Sequence, residues 1–206
     1  MMGRTHALGG AAAMAAASLL LPENLRPTAG GALLVAGSFL LSTASALVPD
    51  ADNDRGSLMN RSYLMPLKLA TFPLWWGAPH RGRTHSIIGL AVYTGLIVAW
   101  VLGFQMAMRA WADPLFTLSD PLLVSIGMAA GVGYASHLFL DLFNLLGQTL
   151  FWPNPAKITF PIWQAHEFIP GRFAAGSKWE RWLVWPLLAA FTGWYVFDLL
   201  GKTFIH

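Results

Sequence analysis

A helix that crosses the hydrocarbon layer of a bilayer needs roughly 20 consecutive, mostly apolar residues. This chain meets that requirement four times, at about 29–48, 86–108, 121–144 and 182–200. In hydrocarbon every backbone N–H and C=O must be paired within the structure, and a run of this length does so as an α-helix. A fifth stretch, about 7–21, is Ala- and Gly-rich, stops before Pro22 and is short for a span. With Arg4 ahead of it, it reads either as a fifth helix or as a signal peptide. No small-x-small cleavage pattern followed by a soluble domain supports the second reading. The expected fold is an all-α polytopic membrane bundle of about five transmembrane helices, a single domain over 1–206 with two long loops on one face.

Composition agrees. The 206 residues are 55% hydrophobic and 11% charged, too little polar surface to cover a water-soluble globule. The absence of cysteine excludes disulfide frameworks, thiolate metal sites and cysteine nucleophiles, so any metal must be held by nitrogen and oxygen. A net charge of +3 reads as membrane orientation rather than nucleic-acid binding. Trp111, Trp152, Trp179 and Trp182 near span ends suit interfacial anchors.

The two long connections, about 49–83 and 145–181, are too polar or too broken by Pro and Gly to span. Within the first, Leu58 to Trp76 is apolar but interrupted by Arg61, Pro66, Lys68 and Pro73, the pattern of an interfacial or re-entrant piece. Arg55, Arg61, Lys68, Arg81 and Arg83 lie in the first connection; Lys157, Arg172, Lys178 and Arg181 lie in or beside the second. With five spans, these and Arg4 share a side, leaving Arg26, Arg109 and Lys202 opposite. The positive-inside rule then places the N-terminus and both loops in the cytoplasm.

Alternation of direction also brings ionisable residues together. His6 opens the first span; Asp50, Asp52 and Asp54 follow the second; His80 and His85 precede or open the third. The fourth returns to the same face carrying His137 and Asp141, whose i, i+4 spacing puts both on one side of a helix. Alone, His6 is equally a satisfied interfacial residue, and the Asp-x-Asp-x-Asp run is ordinarily a solvated turn or calcium-type loop. Ionisable groups inside a span are costly to bury, which favours a functional reading of His137 and Asp141. Imidazole and carboxylate ligands suit zinc, manganese, iron or magnesium, and bridging aspartates allow two or three ions to sit close together. The expected ligands are His6, Asp50, Asp52, His80, His85, His137 and Asp141. An activated water would attack a phosphoryl or acyl centre, with Arg81, Arg83 and Asp54 as catalytic candidates and the arginines stabilising charge on a phosphate. Thr84 and Ser86 are expected to orient the ligands, although an N-cap role is equally consistent. His166, with Glu167 beside it, and Glu180 lie on the same face as further candidates; a loop His beside a surface Glu explains the first pair equally well, and a helix-dipole role alone explains Glu180.

These motifs resemble the YdjM-type family of bacterial inner-membrane, metal-dependent hydrolases. The resemblance rests on His6, Leu47-Val48-Pro49-Asp50-Ala51-Asp52, His80-Arg81-Gly82-x-Thr84-His85-Ser86 and Gly133-Tyr134-x-x-His137-x-x-x-Asp141. It runs from residue 6 to about 153, with a weaker match at Gly176-Ser177-x-x-Glu180; Val48 replaces the family's usual Leu. The His-x-x-x-Asp after a glycine is also similar, more distantly, to zinc-dependent phospholipases C and single-strand-specific zinc nucleases, which implies a multinuclear zinc site. The reading is therefore a membrane-bound hydrolase of a phosphoester, a phospholipid among the candidates, at the cytoplasmic face of the inner membrane. The competing reading is a metal- or proton-coupled transporter or channel using the same cluster. Against it, the far side of the chain is almost purely apolar. Intramembrane proteolysis lacks His-Glu-x-x-His and Gly-x-Ser-Gly, and a purely structural membrane protein completes the set.

Overall fold

The computed structural model describes residues 3–20, 32–52, 64–76, 82–144, 146–159, 177–178 and 180–204. Within them the named elements are all helical, and 146–159 is a turn-rich connection closed by one antiparallel bridge between Gln148 and Ile158. α1 spans Gly3–Leu20 and α2 Ala32–Ser45, followed by a 3-10 turn at Val48–Asp52. Two short helices, α3 (Met65–Ala70) and α4 (Phe72–Trp75), lead to a second 3-10 turn at Arg83–His85. α5 (Ile87–Trp111) and α6 (Asp120–Leu142) form an antiparallel pair, and a π-helical turn at Glu180–Val184 opens α7 (Trp185–Phe204).

Three segments are long and apolar enough to cross a membrane: Ile87–Trp111, Asp120–Leu142 and Glu180–Gly201. The expected count of about five spans is not confirmed at that standard among the described residues. α2 is described over 14 residues, Ala32–Ser45, below the length that standard asks for, and α1 is 18 residues rich in Ala and Gly. For α1 the physical reason lies in packing. α1 touches α2, α6 and α7 and buries Thr5, His6, Gly9, Gly10, Ala12, Met14, Ala15 and Ser18. Where helices lack a hydrophobic drive to associate, small residues let their backbones approach closely. A Cβ on Gly10 would lie 2.5 Å from the Ser42 carbonyl oxygen and 2.9 Å from the Ala46 Cβ. The Ser42 hydroxyl donates to the Gly10 carbonyl at 2.8 Å. On α6, Gly133 meets the same Ser42 backbone, with a Cβ there lying 2.9 Å from Ser42 C and Cα. The low hydropathy of α1 thus reflects helix contact rather than lipid contact.

α5 shows the opposite pattern. It buries Gly89, Tyr93 and Ile97 and exposes Ile87, Ile88, Val92, Trp100, Phe104 and Met106, the surface of a helix that faces acyl chains. Its N-terminus is set by Ser86, whose hydroxyl accepts from the Gly89 N–H at 3.0 Å and donates to the Arg83 carbonyl at 2.6 Å. Ser86 is therefore an N-cap, the plainer of its two expected roles. The two long connections meet at this point: Ile87 N–H donates to the Leu150 carbonyl at 3.0 Å and the Thr149 hydroxyl to the Gly82 carbonyl at 3.2 Å.

Candidate metal centre

Four elements end at the same level and each delivers a ligand type. The first turns of α1 bring His6; the 3-10 turn after α2 brings Asp50; the turn before α5 brings His85; and the last two turns of α6 bring His137 and Asp141. His6, His85 and His137 are fully buried and Asp141 nearly so, whereas the Asp50 side chain keeps 19% of its exposure and marks the open edge.

The arrangement centres on Asp141. Its Oδ1 lies 3.3 Å from His6 Nε2; its Oδ2 lies 3.7 Å from His137 Nε2 and 3.9 Å from His85 Nε2. Asp50 Oδ1 stands 3.6 Å from His85 Nε2 and 3.9 Å from His137 Nε2. The imidazoles of His6 and His137 stack at 3.7 Å, and His85 meets His137 edge-on at 5.1 Å. The donor atoms form two overlapping triads, His6–His137–Asp141 and Asp50–His85–His137, each with its atoms within 4.8 Å of one another.

The hydrogen-bond pattern leaves lone pairs aimed inward. His137 Nδ1 lies 2.8 Å from the Ala46 carbonyl oxygen; a carbonyl only accepts, so Nδ1 carries the proton and Nε2 presents its lone pair. His85 Nδ1 is 3.1 Å from the Thr84 hydroxyl, and its Nε2 approaches His137 Nε2 at 3.3 Å. His6 is the sharpest case. Both its ring nitrogens are buried without a hydrogen bond; the 3.3 Å approach to Asp141 has the distance of an ion pair but not hydrogen-bond alignment. An unsatisfied buried polar group costs roughly 1–3 kcal/mol, and a cation shared with Asp141 would satisfy Nε2. Tetrahedral ligation at about 2.0–2.1 Å separates neighbouring ligand atoms by about 3.3–3.4 Å, close to the 3.3–3.9 Å observed. The residues present therefore fit a divalent ion. Burial by itself would raise the Asp50 carboxyl, but the imidazoles of His137, His85 and His6 outweigh it and hold it below the usual carboxylate range.

Supporting contacts hold these ligands. Tyr134, three residues before His137, donates from its hydroxyl to the Thr84 carbonyl, stacks on Tyr93 at 5.1 Å, and Tyr93 pairs with Ser45 at 2.7 Å. Next to His6, the Thr5 hydroxyl donates to Glu180 Oε1 at 2.5 Å, with both side chains fully buried. Glu180 therefore reaches α1. The sequence reading missed Thr5, Tyr93, Tyr134 as a hydroxyl donor, and the Ala46 carbonyl; a polar residue beside His6 was the one signal on offer.

Other expected residues divide in two. Arg83 sends Nε to the Leu74 carbonyl at 2.9 Å and Nη2 to the Trp76 carbonyl, so two of its nitrogens brace backbone. Asp54, His80, Arg81 and His166 lie outside the described residues, and of Asp52 only the backbone turn is described.

No curated protein and no solved structure matches the chain. Residues 1–204 match the family described as YdjM inner membrane protein, and with its apolar helices and clustered histidines and aspartates the chain belongs to that family.

Proposed function

We propose that this protein is a membrane-bound, metal-dependent hydrolase of phosphoesters, with its site at the cytoplasmic face of the inner membrane and zinc as the preferred ion. The observation that carries the reading is Asp141, whose two oxygens face different imidazoles, Oδ1 toward His6 and Oδ2 toward His85 and His137. Because His137 Nδ1 is engaged with Ala46, its single inward lone pair serves one ion at a time. One ion would be held by Asp50, His85, His137 and Asp141 Oδ2, and a second by His6 and Asp141 Oδ1. Divalent ions there supply Lewis acidity and lower the pKa of bound water to near neutrality.

The chain's own residues do the rest. Two carboxylates, Asp50 and Asp141, neutralise one divalent cation; a second leaves positive charge that an anionic phosphoester would balance. Asp50, at the open edge, is where substrate and water would enter. Arg81 remains the cation proposed to face a phosphate, since Arg83 is committed to the carbonyls of Leu74 and Trp76. The test is metal analysis of detergent-purified protein with a panel of phosphatase and phospholipase substrates, comparing wild type with His137→Ala. Hydrolysis that requires metal and disappears in the variant supports the proposal. Ion flux in proteoliposomes without hydrolysis would favour the transporter reading instead.

A further inference from the structure

The segment at residues 64–76 has an unusual surface. Its exposed residues are Met65, Pro66, Leu69, Phe72, Pro73 and Trp76, all apolar. Their spacing of i, i+1, i+4, i+7, i+8 and i+11 makes one stripe along α3 and α4. Leu69 is 63% and Trp76 67% exposed, and Phe72 stacks on Trp76 at 5.4 Å. On the other side Leu74 is in the core, with Leu64 and Leu67 packed against it, and Thr71 is buried beside them. A continuous apolar stripe of this kind facing water would be a liability.

From this geometry we infer that residues 64–76 form a seat in the lipid leaflet, with the stripe sunk to the boundary between headgroups and acyl chains beside the mouth of the metal centre. Three observations fix the occupant as lipid. The segment lies at the level where α5 begins, because α4 packs on α5, on the His85 turn and on the turn bearing Asp50. The exposed apolar surface of α5, a helix long and apolar enough to cross a membrane, starts at that level with Ile87 and Ile88, and the stripe continues it. The backbone is broken at Thr71, which open hydrocarbon would not tolerate; the Thr71 hydroxyl donates to the Leu67 carbonyl at 2.8 Å and also approaches that of Lys68 at 3.2 Å. A broken, one-sided apolar segment with a terminal Trp suits the interface.

The seat is coupled to the metal centre through Arg83. Its side chain ties the carbonyls of Leu74 and Trp76 to the turn that presents His85, two residues away in sequence. The leaflet therefore positions the His85 turn, and the partly open Asp50 faces headgroup level. Resting on the hydrolase reading, this makes a phosphoester in a lipid headgroup the substrate class.

The absence of cysteine permits single-cysteine spin labelling of the full chain in phospholipid vesicles. Labels at Leu69→Cys and Trp76→Cys should show oxygen-to-nickel-chelate accessibility shifted toward that of Val98→Cys on α5, away from the exposed loop position Lys157→Cys. Labels at both positions that read like Lys157→Cys would overturn the seat. Hydrolysis is read separately on vesicle-embedded phospholipid and on a soluble phosphomonoester. Failure of wild type on both sinks the hydrolase reading alone, since the accessibility measurement does not depend on activity.

Discussion

Gly10→Ala is the smallest perturbation that should reach the metal centre without touching a ligand. Its new Cβ would lie 2.5 Å from the Ser42 carbonyl oxygen, 2.9 Å from Ala46 Cβ and 3.0 Å from Ser42 C. Reaching ordinary contact, near 3.4 Å, requires α1 and α2 to part by about 0.9 Å, because the obstacle is backbone and cannot swing aside. Gly10 sits one turn from His6, and Ala46 supplies the carbonyl that orients His137, so the displacement falls between two ligand-bearing elements. Coordination distances tolerate only about ±0.2 Å, and loss of supporting contacts around a metal typically costs about 10–100-fold in affinity. Overpacking costs about 1–3 kcal/mol, offset in part by a gain of about 1 kcal/mol in helix propensity from Gly to Ala. The variant should therefore fold with a modest loss of thermal stability and bind zinc at least about tenfold more weakly, the low end of that range. Gly37→Ala on α2 is the control, because a Cβ there meets nothing within 4 Å; it should bind as wild type does. Zinc titration by calorimetry on both purified variants makes the comparison. If Gly10→Ala binds zinc like Gly37→Ala, the claim that close α1–α2 packing sets the ligand geometry is refuted.

Other outcomes follow from the same contacts. Asp141→Asn should lower the bound-metal content measured by elemental analysis, because both proposed ion positions draw on its oxygens. Glu180→Ala leaves the buried Thr5 hydroxyl without that acceptor and should lower the unfolding free energy by about 1–3 kcal/mol in a denaturant titration. Tyr134→Phe removes the donor to the Thr84 carbonyl and should cost about 1 kcal/mol while loosening the His85 turn, seen as weaker metal binding. Ser86→Ala removes the α5 N-cap and should lower stability by about 1 kcal/mol in the same titration.

Much of the site was legible because alternation of helix direction is a strong constraint. Once the apolar runs were placed, His6, Asp50, His85, His137 and Asp141 had to fall at one end of the bundle, and the i, i+4 spacing of His137 and Asp141 set their common face. The number of spans was less legible. A hydropathy argument scores a helix by its affinity for lipid, whereas α1 meets α2 through Gly10 and Ser42, and small residues carry little hydropathy. Arg83 shows a different limit. Its proximity to His85 suggested a phosphate-facing charge, but its reach to the carbonyls of Leu74 and Trp76 depends on where a distant pair of short helices packs. The Thr5–Glu180 bond joins residues 175 positions apart, a pairing no local pattern encodes.

The most direct measurement is the metal content of the purified protein after exposure to zinc and removal of free ions. Wild type should retain zinc in at least one-to-one proportion, and His137→Ala, correctly folded by circular dichroism, should retain almost none. Wild type emerging metal-free, or the variant loading as fully as wild type, would contradict the coordination of a shared cation by these four converging elements.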